Sequence, residues 1–246
     1  MSGAPSRPEL PKRFYETVDV VAVDGGHTVR LDGRGVKTPA RRALLVPAEA
    51  VAEVMASEWR VQGERIDPAT MPMTRLVNTV IDGIADTAIE TRTDLARYVE
   101  TDLLFYRVGE PARLVARQQT IWDPILKGAE ASLGRRFLLA EGVMHVAQPP
   151  ESLAAFRSRI DAIEDPFVIA ALHQITTLTG SAIIAHEILE RRLTAESAWA
   201  AAHVDEDWNI ELWGEDEEAD RRRRARFVDM RTAVDLLHAV PGARLP

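Results

Sequence analysis

Cysteine is absent from the 246-residue chain, which excludes disulfides, thiolate zinc sites and a cysteine nucleophile and suits a reducing compartment. Long apolar runs are missing as well. The most apolar stretch, residues 167–193, is broken by His173, Gln174, Gly180, Ser181, His186 and Glu187, and falls short of the roughly 18 consecutive apolar residues of a spanning helix. No secretory leader is evident, because residues 1–10 contain Pro5 and Pro8 and no apolar segment; they are also too short and too poor in arginine for an organellar presequence. The expectation is a cytoplasmic (bacterial) protein without membrane insertion. Basic excess is lacking too. The formal charge of −8 opposes contact with a phosphate backbone and argues against a nucleic-acid partner.

What the chain does have is apolar content, 46%, enough for a substantial core without a staple. Residues 14–23 and 27–31 alternate β-formers around Gly25 and Gly26 and predict a hairpin; Asp32, Gly33 and Gly35 mark a second turn before short strands at 36–38 and 44–46. Beyond Pro47 the period changes to 3.6. Val51, Val54, Met55 and Trp59 predict a helix over 48–62 ending at Gly63, and Leu76, Val77, Val80, Ile81 and Ile84 form a second amphipathic stripe. Thr87 and Glu90 have capping-box spacing for a helix to about residue 100. Residues 103–108 read as a strand or extended link, and helices are expected at about 112–133, 151–163, 166–179, 181–192, 194–213 and 216–239. The shift in pattern divides the chain into an α/β part, 1–75, and a helical part, 76–246.

Each catalytic motif fails on spacing. In Gly33-Arg34-Gly35-Val36-Lys37-Thr38, Val36 precedes the lysine and Pro39 follows the threonine, so neither the phosphate loop nor its helix can form. His186-Glu187 opens like a zinc-protease helix, but Glu190 stands where the second histidine belongs. A metal-dependent hydrolase using His186 and Glu187 is the alternative left open. Asp94, Glu100 and Asp102 come without a nucleophile elbow or paired-acid motif and read as solvated charges. Glu217 with Arg221, Glu218 with Arg222 and Asp220 with Arg224 are acid-first pairs one turn apart on a self-paired helix face, whose inner stripe is Phe227, Met230, Val234 and Leu237.

If 194–213 is one helix, Ala201, Val204, Trp208 and Leu212 share one face while Glu206, Asn209 and Trp213 share nearly the opposite one. A single core needs one apolar face, so a second tryptophan facing away points to contact with another element or a partner.

The run Asp205-Glu206-Asp207-Trp208-Asn209 with Trp213-Gly214 resembles a motif of the assembly chaperones of the F1-ATPase alpha subunit. Further blocks follow in family order: Lys12-Arg13-Phe14-Tyr15, Leu31-Asp32-Gly33-Arg34, Lys37-Thr38-Pro39, Glu58-Trp59 with Gln62, and Met71-Pro72-Met73-Thr74. Thr101-Asp102, Tyr106-Arg107, Trp122-Asp123-Pro124 and Thr179-Gly180-Ser181 complete the series. The family's glutamine is Asn209 here, which keeps the amide but shortens its reach. The resemblance implies an α+β protein with an N-terminal α/β layered domain of antiparallel strands and a C-terminal orthogonal α-helical bundle. It also implies binding of the unassembled alpha subunit, protecting it from aggregation before it joins beta, with no catalytic residue, cofactor or metal. Glu206, Asn209 and Trp213 are then the expected partner-binding residues, and Trp59, Trp208 and Gly214 structural ones.

Overall fold

Two glycines start the fold. Gly25 and Gly26 both take positive φ, and a Cβ on Gly26 would lie 2.4 Å from the Val46 carbonyl oxygen, so only glycine lets the hairpin close there. Strand β1 (Val18–Val23) pairs antiparallel with β2 (Gly26–Leu31), with Val18 opposite Leu31. Asp32 and Gly33, both at positive φ, turn the chain into β3 (Arg34–Gly35), the outer strand in the order β1-β2-β3. The strands expected at 36–38 and 44–46 are reduced to isolated bridges, Lys37–Ala43 and His27–Val46, because Pro39 and Pro47 cannot continue a ladder. The computed structural model describes residues 9–142 and 144–243; most of the segment read for a leader lies outside them.

Helix α1 (Glu49–Arg60) buries Val51, Ala52, Met55 and Ala56 against β1 and β2. Val54, expected in that stripe, is 42% exposed. Gly63 is not a left-handed cap; Gln62 organises the exit instead, donating to the Glu58 carbonyl and Thr70 Oγ1 and accepting from the Asp67 amide. Helix α2 (Pro72–Asp82) is capped by a side chain of α1: the Met73 and Thr74 amides donate to Glu58 at 2.7 and 2.8 Å. Burial raises the Glu58 carboxyl and these donors pull it back. The described chain divides into two compact units on either side of the Asp82–Gly83 bond; a division after residue 75 would cut α2 in its first turns.

The second unit is built from eight helices among the described residues: α3 (Ala88–Arg97), α4 (Ala112–Leu133), α5 (Pro150–Asp161), α6 (Pro166–Thr179), α7 (Ala182–Leu189), α8 (Ala195–Ala202), α9 (Val204–Trp213) and α10 (Glu217–Ala239). The fold is mixed α+β, as the sequence implies. Helix α6 is central, packing on α3, α7 and α10, and every residue of α7 is buried. The expected capping box at Thr87 and Glu90 does not form: the Thr87 hydroxyl donates back to the Gly83 carbonyl and closes the preceding turn. Residues 103–105 form a short 3-10 turn, leaving a two-residue strand, β4 (Tyr106–Arg107), parallel to β5 (Ala140–Glu141).

Candidate partner-binding site

The helix expected over 194–213 is two helices, α8 and α9, separated at His203 (φ −116°, ψ 21°). The imidazole causes the break. Its Nδ1 lies 2.8 Å from the Trp199 carbonyl oxygen, which accepts only, so Nδ1 carries the proton and takes the acceptor that the His203 amide would use in a continuous helix. That amide bonds to the Ala200 carbonyl instead. Burial lowers the His203 pKa, partly opposed by the Trp199 carbonyl.

Side-chain ties hold α9 on the unit. Gln118 on α4 donates to Asp205 at 2.8 Å, Arg117 pairs with Glu211 at 2.6 Å, and Asp207 pairs with Arg223 of α10. Arg113 lies over the Trp208 ring, 5.6 Å from its centroid. Trp208 is therefore half-buried under a cation instead of belonging to the core, and Leu212, expected on the same inner face, is 56% exposed. The break at His203 puts Ala201 in the preceding helix, and Val204 is the one buried residue of α9.

The opposite face matches its expected composition. Glu206, Asn209 and Trp213 line one recess of 440 Å³ with Ile210 and the start of α10. Trp213 is 85% exposed, and the Glu206 carboxylate, half in solvent, lies 3.7 Å from His203 Nε2. Gly214 ends α9 with φ 89° and ψ 171°, a conformation closed to other residues. Asp216 then caps α10 through the Glu218 and Ala219 amides, and Asp220 and Glu218 are paired with Arg224 and Arg222. Three residues of the expected inner stripe of α10, Met230, Val234 and Leu237, are buried, while the fourth, Phe227, is half-buried with its ring 5.4 Å from that of Trp199.

Three carboxylates elsewhere are structural. Asp102, expected to be solvated, is fully buried. It accepts from Ser181 Oγ at 2.7 Å, the Ile183 amide at 3.0 Å and the Leu104 amide at 3.1 Å, so it caps the N-terminus of α7. Burial, against these donors, pushes its carboxyl up to about 6. Nothing local in the sequence joins Asp102 to Ser181. Glu187 is also buried, gripped by Arg192 at 2.6 and 2.7 Å and by His186 Nδ1 at 3.0 Å. Burial alone would raise its carboxyl, but Arg192 and His186 outweigh that and hold it below the usual range. The Arg192 fork occupies both Glu187 oxygens, and no group of three metal-ligating side chains stands together among the described residues. Glu58 is the third, as the cap of α2.

Trp59 is half-buried, its ring edge-on to Tyr15 at 5.6 Å, while the Tyr15 hydroxyl donates to the Trp59 carbonyl at 2.7 Å. The fully buried tryptophan is Trp122, whose indole N–H donates to the Ala201 carbonyl at 2.7 Å; sequence reasoning assigned it no role. Arg107 lies over its ring and pairs with Asp123 at 2.8 Å. No helix among the described residues is long and apolar enough to cross a membrane.

Known proteins with this architecture share more than its outline. Residues 12–130 match the model of the ATP12 chaperone protein family. The structure of Atp12 from Paracoccus denitrificans superposes with a TM-score of 0.87 at 36% identity, over 94% of this chain and 98% of that one. The Atu1473 protein of Agrobacterium tumefaciens gives 0.89 at 47% identity, over 95% and 92%. Among curated proteins, mitochondrial atp12 of Schizosaccharomyces pombe is 25% identical over 221 residues, 85% of this chain and 75% of that protein. The chain belongs to the ATP12 chaperone family.

Proposed function

We propose that this chain is an assembly chaperone of the F1 sector of ATP synthase that binds the unassembled alpha subunit through the outer face of α9. One observation carries the reading: Trp213, 85% exposed, stands beside Glu206 and Asn209 on a recess, while Asp205, Asp207 and Glu211 are tied to side chains of α4 and α10. An indole supplies apolar contact area at low entropic cost, and a half-solvated carboxylate accepts bonds from a partner without holding its own fold together. Masking the alpha surface that beta later covers shifts the population away from aggregation by mass action. Release then requires a contact weaker than the final interface, which fits a single helix face with a polar rim. The encounter belongs in the bacterial cytoplasm, and the protein needs no catalytic residue, cofactor or metal for it. Titration against alpha alone, beta alone and complete F1 tests the proposal: selective binding of free alpha is expected, and equal binding to all three, or none to alpha, overturns it.

A further inference from the structure

The N-terminal unit contains a recess of 510 Å³ that plays no part in the α9 site. Leu31, Val36 and Trp59 supply apolar walls, and Phe14, 72% exposed, stands at the rim with its ring edge-on to Tyr15. Buried within the Trp59 side chain is an indole N–H that has no acceptor. Two cations, Arg34 and Lys37, also line the recess; neither makes a direct ion pair among the described residues, and the Thr17 and Glu16 amides, helped by nearby Arg34, hold the Asp32 carboxyl below the usual range. Its one acid, Asp32, is already engaged: Oδ1 accepts from the Glu16 and Thr17 amides at 3.0 and 2.8 Å and from the Thr17 hydroxyl at 3.1 Å.

We propose that this recess is a second docking site, for an extended acidic segment of a client protein that carries an apolar or aromatic side chain. The apolar side chain enters between Phe14 and Trp59, and flanking carboxylates meet Arg34 and Lys37. Charge decides the occupant. Arg34 and Lys37 outnumber the single Asp32 carboxylate, whose Oδ1 three neutral donors already occupy, so the recess carries an excess of positive charge that favours an anionic segment. The recess on α9 has the opposite character, being lined by Asp205, Glu206, Glu215, Asp216 and Asp220 with Arg223 as its one cation. The two recesses therefore select segments of opposite charge.

The indole resonance of Trp59 provides the test, assigned by its loss in Trp59→Phe and followed in nitrogen-15-labelled protein. The probes are acetyl-Asp-Glu-Phe-Glu-Asp-amide, acetyl-Lys-Arg-Phe-Arg-Lys-amide and ADP. The acidic peptide is expected to shift the resonance in a saturable manner that the basic peptide does not reproduce. R34E/K37E should reverse this preference, and the milder Lys37→Gln should weaken the acidic response severalfold. A resonance unmoved by the acidic peptide, moved equally by both peptides, or moved by ADP alone overturns the proposal. Glu206→Gln protein should respond as the parent does, so a failure of alpha binding at α9 would leave this result standing.

Discussion

Helices α7 and α9 belong to the same unit and are similarly short, yet α7 buries all eight of its residues and α9 buries only Val204. Their polar groups explain the difference. At α7 the helix N-terminus is satisfied by the Asp102 carboxylate and the buried Glu187 carboxylate by Arg192, so all of its side chains can pack. At α9 the inward contacts are themselves ion pairs and amide bonds, and they leave an indole and a carboxylate facing solvent. One helix is placed by burial, the other by polar ties. A helix placed by polar ties can offer an apolar surface to a partner without weakening the core.

The largest effect that would break this comparison is on packing. Ile183→Ala on α7 should cost about 2–5 kcal/mol, whereas Leu212→Ala on α9 should stay within about 0.5 kcal/mol. Urea unfolding of both variants checks this, and equal costs would show that α9 is a core element after all.

The second effect is a pH dependence at α7. The Asp102 pKa is raised to about 6 in the folded state from 3.8, so the folded protein binds the extra proton and stability attributable to this group falls as pH rises through that window. The ionisation penalty, on the order of 3 kcal/mol, is fully present above about pH 6 and relieved below about pH 4. Asp102→Asn carries no such titration but sets an amide N–H against the Ile183 amide. Its destabilisation relative to the parent should therefore shrink between pH 4 and pH 7 in paired thermal melts, and a constant difference would contradict the assignment.

Smaller still are the ties of α9. Arg223→Ala removes the partner of Asp207 at a half-buried position and should cost below about 1 kcal/mol, measured by the same melts. A loss as large as that of Ile183→Ala would mean that this single ion pair, instead of the several ties together, holds the helix.

The sequence carried the hairpin, because Gly25-Gly26 lies between two alternating runs, and it carried the helical stripe of Met230, Val234 and Leu237. It also grouped Glu206, Asn209 and Trp213, since residues three, four and seven apart share a helix face whether or not the helix continues upstream. The break at His203 was hidden: neither proline nor glycine stands there, and only the three-dimensional placement of the imidazole takes the Trp199 carbonyl. Trp208 and Leu212 share the face of buried Val204 but lie outside the core, Trp208 under the Arg113 guanidinium and Leu212 in solvent. The burial of Asp102 is hidden for a related reason, since its partner Ser181 is 79 residues away and a buried cap of another helix has no local signature. The pair at Thr87 and Glu90 had the right spacing, but the Thr87 hydroxyl found the Gly83 carbonyl first.

Affinity for the unassembled F1 alpha subunit, measured with melting temperature on the parent and Glu206→Gln, tests the proposed docking role of α9 most directly. A carboxylate that accepts charge-assisted bonds from the partner contributes roughly 1.5–3 kcal/mol to the contact, so Kd should rise by about tenfold or more while the melting temperature stays within about 1 °C of the parent. An unchanged Kd, or a fall in melting temperature as large as that of Ile183→Ala, would contradict the account; the second result would make Glu206 an internal brace of His203.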